Sequence, residues 1–314
     1  MIKDDLYIYT FYRFLNIKNK KHIKSLLDSY FSKKLLRGTI LLASEGINCS
    51  VSGIEKDLLE TVKLIKNLLN IRKLNIKVNT TDFLPFNRIK VRLKNEIVSL
   101  GKGEMEVNKL TGSHILPSEW NKIIQKKEVK LIDTRNSYEI DIGKFKGAIN
   151  PKTKSFREFP AKLNKIGIKK NDKIAIYCTG GIRCEKASAY LKLKGYKDIV
   201  QLNGGIINYL KHVKENNRES FWQGECFVFD NRVTVKKNLT KGNYLQCHGC
   251  RHPITKNDTK LKSYRKGISC KYCYKKRKVS QIKRSATRQN QIDIAEIKGV
   301  SHSFKKIKIQ DVYS

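Results

Sequence analysis

The sequence predicts an α/β protein made of successive small domains, on three observations. Strand-like and helix-like apolar spacings exchange places along the first 220 residues, no apolar run approaches the length of a membrane span, and the cysteines gather in one central loop and two CxxC pairs near the C-terminus. With 314 residues and 39% hydrophobic content, the chain is long enough for two or three ordinary cores. Lysine and arginine number 66 against 28 acidic residues, a formal charge of +38. Such an excess favours a polyanionic partner, nucleic acid ahead of membrane, although a chain this crowded with Lys, Asn and Ile owes part of its charge to nucleotide bias. No leader with a cationic start, hydrophobic core and cleavage site is present, so the expectation is a soluble, cytoplasmic protein whose cysteines serve metal or thiol chemistry, not disulfides.

The first hundred residues read as strand, helix, strand, strand, helix, strand. Leu6–Phe14 is an aromatic-rich strand, Lys20–Lys34 carries Ile23, Leu26, Leu27 and Tyr30 at helical spacing, and Gly38–Ala43 is an apolar strand. Asn48–Val51 is its partner, Ile54–Leu69 a second amphipathic helix and Leu74–Asn79 a closing strand. That order fits a ferredoxin-like α+β sandwich over residues 1–100, a fold that by itself fixes no function. Within it, Arg88, Lys90, Arg92 and Lys94 alternate with Ile89, Val91 and Leu93, giving one basic and one apolar face. The basic face is either a solvated surface or a stripe that tracks phosphates, with Phe83 and Phe86 nearby as stacking surfaces. Residues 101–121 turn to Gly, Thr, Ser and Pro and read as a linker.

Residues 122–220 alternate strands with helices, which implies a parallel sheet with ligands gathered at the carboxyl ends of its strands. Val129–Asp133 ends on Asp133, and the apolar run Ile174–Tyr177 ends on Cys178. The loop Thr179–Cys184 holds Gly180 and Gly181, which permit tight turns, and a helix follows from about Glu185 to Gly195. A cysteine buried at a strand end is most often inert. Here loop N–H groups, a helix N-terminus and Arg183 would surround the sulfur with positive potential, which points to a reactive thiolate.

Beyond residue 220, Cys247-x2-Cys250 and Cys270-x2-Cys273 flank a 19-residue segment, the spacing of a four-cysteine zinc site. Four thiolates complete the shell and imply a structural ion in a knuckle over residues 221–274, although His248 and His252 lie close by. The stretch from 275 to 314 reads as a basic tail. It opens with Lys275, Lys276, Arg277 and Lys278, and no acidic residue occurs between Asp258 and Asp293. This arm suits RNA phosphates, and equally a solvated tail that orders on binding.

IDTRNSYE, FKGAIN, CTGGIRC and LNGGIINYL, in that order, resemble a rhodanese domain, whose active loop reads Cys-x-x-Gly-x-Arg before a helix. Cys178, Gly181 and Arg183 match it one for one. Lys144 stands where a histidine is common, and the last loop position is a second cysteine, Cys184, which either fills space or resolves an oxidised or persulfidated Cys178. GTILLASEGINCSVSG, DFLPFNRIKVRLKNEIVSLG, SFREFP, CTGGIRCEKAS and FVFDNRV extend the likeness over about three quarters of the chain. Together they resemble the bacterial tRNA uridine(34) hydroxylases, rhodanese-domain enzymes with a ferredoxin-like N-terminal domain. The resemblance implies C5 hydroxylation of the wobble uridine in the tRNA anticodon stem-loop, with molecular oxygen as co-substrate. It implies Cys178 and Arg183 as catalytic residues, supported by Gly180, Gly181, Cys184 and Asp133. No flavin, haem or nucleotide motif appears. The loop alone fits a sulfurtransferase equally well, and the basic surfaces alone fit a non-catalytic RNA-binding module.

Overall fold

A computed structural model describes residues 6–103 and 105–300. The N-terminal domain comprises β1 (Leu6–Phe14), α1 (Lys20–Phe31), β2 (Arg37–Ala43), β3 (Gly46–Ile54), α2 (Glu55–Leu68), β4 (Lys77–Thr81) and β5 (Ile89–Leu93). Its sheet order, β4-β1-β3-β2-β5, is the ferredoxin-like arrangement extended by one strand, β5, which pairs parallel to β2. Strand alternation sends Tyr9, Phe11, Ile40, Leu42, Cys49 and Val51 to one face, where they pack under Ile23 and Leu27 of α1 and Leu58, Val62 and Ile65 of α2. Each such fully buried side chain contributes about 1.5–3 kcal/mol. Among the described residues, no helix of this domain covers the opposite face.

That opposite face is ordered in rows. Lys77, Thr10, Ser50, Thr39 and Lys90 are successive register partners across all five strands, and Asn48 pairs with both Tyr12 and Leu41. Partners in register point the same way, so the basic residues of β5 border the same surface as Thr10 and Ser50.

The central domain begins earlier than its composition suggests. In the stretch read as linker, α3 (Val107–Leu110) packs against the later helix α7, and β6 (Ser113–Ile115) pairs parallel with β10, so this stretch belongs to the fold. Three residues are too few to show a periodicity. The domain continues with α4 (Pro117–Ile124), β7 (Val129–Asp133), α5 (Ser137–Ile140), β8 (Gly143–Phe145), α6 (Phe159–Lys162), β9 (Lys173–Tyr177), α7 (Ile182–Leu193), β10 (Ile199–Leu202) and α8 (Gly205–Glu215). Its sheet, β6-β10-β9-β7, is wholly parallel.

Short antiparallel pieces follow: β11 (Trp222–Gly224) on β8, β12 (Cys226–Phe227) with β13 (Thr234–Val235), and β14 (Leu245–Gln246) with β15 (Pro253–Ile254). The chain then forms α9 (Val279–Ile297), so most of the described part of the stretch read as a tail, residues 275–300, is a 19-residue helix. Polar groups hold it in place. Arg277 bonds the Ile268 carbonyl and Ser285 Oγ (2.9 Å), Arg288 bonds the Gly267 carbonyl (2.8 Å), and Lys266 pairs with Asp293 (2.8 Å). A helix stapled by hydrogen bonds leaves little apolar periodicity to read; Ile297 is 85% exposed. Residues 301–314 of the expected tail lie outside the described residues. None of the described helices is long and apolar enough to cross a membrane.

Candidate active site

Cys178 stands at the carboxyl end of β9, and the chain turns sharply to enter α7. Gly181 takes φ +98°, a conformation side chains rarely adopt, and aims its N–H at the Cys178 sulfur at 3.0 Å. Burial alone would raise the Cys178 thiol. The Cys184 thiol, the Arg183 charge and the N–H groups of Cys184 and Arg183 outweigh it, bringing the group from its ordinary 9.0 to about 5. Cys184 moves the other way, pushed up by burial and by its neighbour, so Cys178 carries the charge and Cys184 the proton. Thr134 Oγ1 lies 3.6 Å from the Cys184 sulfur.

Arg183 is fixed from below. Its Nη1 and Nη2 donate to the two oxygens of Glu139 at 2.7 and 2.8 Å, both side chains being buried, and Nη2 also reaches the half-buried Thr179 Oγ1 at 3.3 Å. This fork holds the loop and places a charge near the sulfur. Behind the loop, the first N–H groups of α8 meet it: Ile206 donates to the Cys178 carbonyl (2.9 Å) and Ile207 to that of Thr179 (3.2 Å).

The loop opens into a cavity of about 570 Å³ between the two domains. Its floor is the open face of the N-terminal sheet, with Thr10, Thr39, Asn48, Ser50, Lys77 and Asn79; its walls come from Phe86, from Ser155, Phe156 and Arg157, and from Phe229 and Arg232. Thus DFLPFN, SFREFP, CTGGIRC and FVFDNRV, far apart in sequence, line one space.

Family models match two parts of the chain: a UPF0176 acylphosphatase-like domain over residues 6–97 and a rhodanese-like domain over residues 116–212. A tRNA uridine(34) hydroxylase from Pelagibacter ubique (strain HTCC1062) is 44% identical over 300 residues, covering 95% of this chain and 98% of that protein. The chain belongs to the tRNA uridine(34) hydroxylase family. Among solved structures, it is similar to a rhodanese-like domain protein from Staphylococcus aureus (30% identity, TM-score 0.27, covering 31% of this chain and 90% of that one). A rhodanese-related protein from Thermoplasma volcanium shows 23% identity and a TM-score of 0.28, over 32% of this chain and 92% of that one.

The family segment CTGGIRCEKAS extends past the loop because its later residues hold the N-terminal domain. Glu185 accepts hydrogen bonds from Tyr12 Oη (2.9 Å), Thr111 and Gln201 (3.1 Å) and meets His114 Nε2 at 3.0 Å. Burial would raise its carboxyl, but these partners hold it below the usual range. Lys186, fully buried, pairs with Glu45 (2.7 Å) and Glu96 (2.5 Å). Neither contact is visible in a helix that is buried on every side and has no amphipathic stripe.

Several expected residues lie elsewhere. Asp133 does not face the cavity: its carboxylate is fully buried and spent on Arg135, whose Nη2 lies 2.6 Å away and also bonds the Gly143 carbonyl. Phe83 is buried beneath Lys241, so it offers no stacking face. Arg277 is a staple for α9, whereas Lys275, Lys276 and Lys278 are exposed. Arg88, Arg92 and Lys94 are exposed on and beside β5; burial, together with Arg88, Arg92 and Arg251 nearby, pulls the Lys90 ammonium below its ordinary range. Arg251 belongs to the cysteine-rich module, so the basic strand and that module share one positive surface.

Cys247, Cys250, Cys270 and Cys273 bring their sulfurs within 4.8 Å of one another, with separations of 3.7 to 4.0 Å among the bonded pairs. A tetrahedral ion with metal–sulfur bonds of about 2.3 Å needs sulfurs about 3.8 Å apart, so the cluster fits a metal such as zinc. His252 is not a ligand in this set. Its ring stacks on Tyr272 (4.9 Å) and packs against Tyr138 of the central domain (5.1 Å), docking the module there. Sequence reading missed Lys77, Tyr12 and Phe229. The first two act across more than a hundred residues of chain. The third, 63% exposed with its ring 5.7 Å from the Arg183 guanidinium, is marked only by an exposed aromatic in FVFDNRV.

Proposed function

We propose that this protein hydroxylates C5 of uridine 34 in tRNA, with molecular oxygen as oxidant and Cys178 as the reacting thiolate. The observation that carries this reading is the placement of an activated thiolate on a two-domain cavity of about 570 Å³, bordered by a basic strand. The volume suits one extruded nucleotide base of the anticodon loop. Phe229 and Phe86 offer ring faces for stacking, the polar floor offers hydrogen-bond partners for a base edge, and Arg88, Lys90, Arg92, Lys94 and Arg251 suit the flanking phosphates. Arg183 holds the loop from behind, whereas Asp133 is committed to Arg135, and Lys275, Lys276 and Lys278 extend the basic surface. A structural zinc ion on the four cysteines would fold the module that presents Arg251.

Hydroxylation places one oxygen atom of O2 on the base and releases the other as water, which requires two electrons and two protons from a donor. The residues of the cavity bind and orient the base, hold the thiolate and keep Cys184 protonated beside it. The test is mass spectrometry of tRNA nucleosides from cells with and without the gene: 5-hydroxyuridine and its alkoxy derivatives should disappear with the gene. The loop's geometry also suits sulfane sulfur on Cys178. Thiosulfate turnover by the purified protein, with unchanged hydroxyuridine in deleted cells, would select a sulfurtransferase instead.

A further inference from the structure

The active loop is closed on its outer side by the other domain. Lys77, the first residue of β4, donates from Nζ to the Gly180 carbonyl, and its ammonium sits 5.3 Å from the Tyr12 ring centre. Tyr12 Oη in turn donates to Glu185 at the start of α7. A Cβ on Gly181 would stand 2.9 Å from Tyr12 Oη, and one on Gly180 would stand 3.8 Å from Lys77 Nζ. The two glycines therefore answer to the N-terminal domain as well as to the turn.

The cations at the loop and its helix are not equivalent. Arg183 is paired with Glu139 and Lys186 with Glu45 and Glu96, whereas Lys77 forms no salt bridge with a carboxylate among the described residues. We propose that Lys77 is a positioning residue for Cys178, its ammonium holding the Gly180 carbonyl so that the Gly181 N–H stays on the sulfur, and supplying a nearby positive charge that no carboxylate among the described residues matches in a salt bridge. Burial draws the Lys77 ammonium down to about 8, with the Cys178 thiolate and Glu185 acting against that loss. At neutral pH it is mainly charged. On this account the central domain alone lacks a complete active loop, and any reaction at Cys178 depends on the N-terminal domain.

The inference rests on Cys178 being the reactive thiolate of the proposed function, and its test reads the thiol and not the hydroxylation. The groups facing the sulfur are Lys77 from β4, Tyr12 from β1, Arg183, Cys184 and Glu185 from α7, and, through Arg183, Glu139 from α5; Asp133 is committed to Arg135. In the full-length protein, the rate of iodoacetamide labelling at the Cys178 peptide is followed against pH for wild type, Lys77→Met and Lys77→Arg, with folding checked by thermal melting. The methionine variant should titrate about one pH unit higher than wild type, and the arginine variant close to wild type. A folded Lys77→Met with the wild-type midpoint overturns the proposal, as does Lys77→Arg shifted as far as methionine. If Lys77→Met does not fold, Lys77→Gln, which keeps a donor without the charge, is read by the same criterion. A shifted midpoint in the purified protein, together with unchanged hydroxyuridine in cells deleted for the gene, would leave the positioning role standing while the hydroxylase reading failed.

Discussion

Lys186→Met perturbs the joint between the two domains that build the cavity. In the native protein the ammonium is fully buried between Glu45 and Glu96, whose side chains are only 14 and 15% exposed. Removing it leaves two carboxylates facing one another, each still holding backbone N–H groups: Ile97 on Glu45 (2.7 Å), and Leu100 (2.9 Å) and Gly101 (3.0 Å) on Glu96. Deleting one partner of a buried pair costs about 3–5 kcal/mol. The residual exposure argues for the lower part of that range and the second stranded carboxylate for the upper, so about 4 kcal/mol is expected at pH 7. With an m-value of about 3 kcal/mol/M in urea, the midpoint falls by about 1–1.5 M. Burial opposes ionisation of Glu96, but Lys186 and the two N–H groups hold its carboxyl below the usual range. Such a group stabilises the fold above its unfolded pKa, and that contribution is lost as pH falls through the lowered folded value. Wild type should lose it on acidification, whereas the variant keeps only the share held by the N–H groups and is relieved as its stranded carboxylates protonate, so the gap narrows as pH falls through the lowered Glu96 value. Adding Glu45→Gln and Glu96→Gln should restore most of the loss. A variant within about 1 kcal/mol of wild type at pH 7, or a gap that ignores pH, would refute the reasoning.

Gly181→Ala forces a side chain onto φ +98° and against Tyr12 Oη; a cost of about 1–3 kcal/mol and slower alkylation of Cys178 are expected, read by thermal melting and peptide labelling. Arg88→Gln with Arg92→Gln should lower the slope of log affinity for tRNA against log salt by about 1.5, measured by filter binding, and should leave the Cys178 titration unchanged. Metal analysis should find one ion per chain. Its removal by a chelator should open the segment from Leu245 to Ile297, including α9, to limited proteolysis while the two larger domains stay protected.

What the sequence discloses follows from how far each interaction reaches. The N-terminal strands and helices are legible because one face of each is apolar, and the Cys178 loop because Gly180, Gly181 and Arg183 fall within four residues. Short or polar associations are hidden: β6 is three residues long, and α9 is held by Arg277, Arg288 and Lys266 with little apolar surface to reveal it. The basic alternation of β5 is plain in the sequence, but its position beside the cavity depends on pairing with β2, which sets Thr39 opposite Lys90. Asp133 at a strand end reads as a site residue until Arg135 is seen to occupy it. Lys77 is one lysine among many, and only the fold brings it to Gly180.

The central claim is that the Cys178 thiolate performs hydroxylation of tRNA, and it is tested most directly in cells deleted for the gene and supplied with wild-type or Cys178→Ser protein at equal abundance. Quantitative mass spectrometry of their tRNA nucleosides should find 5-hydroxyuridine derivatives restored by wild type and absent with the serine variant. Normal levels with Cys178→Ser would contradict the account.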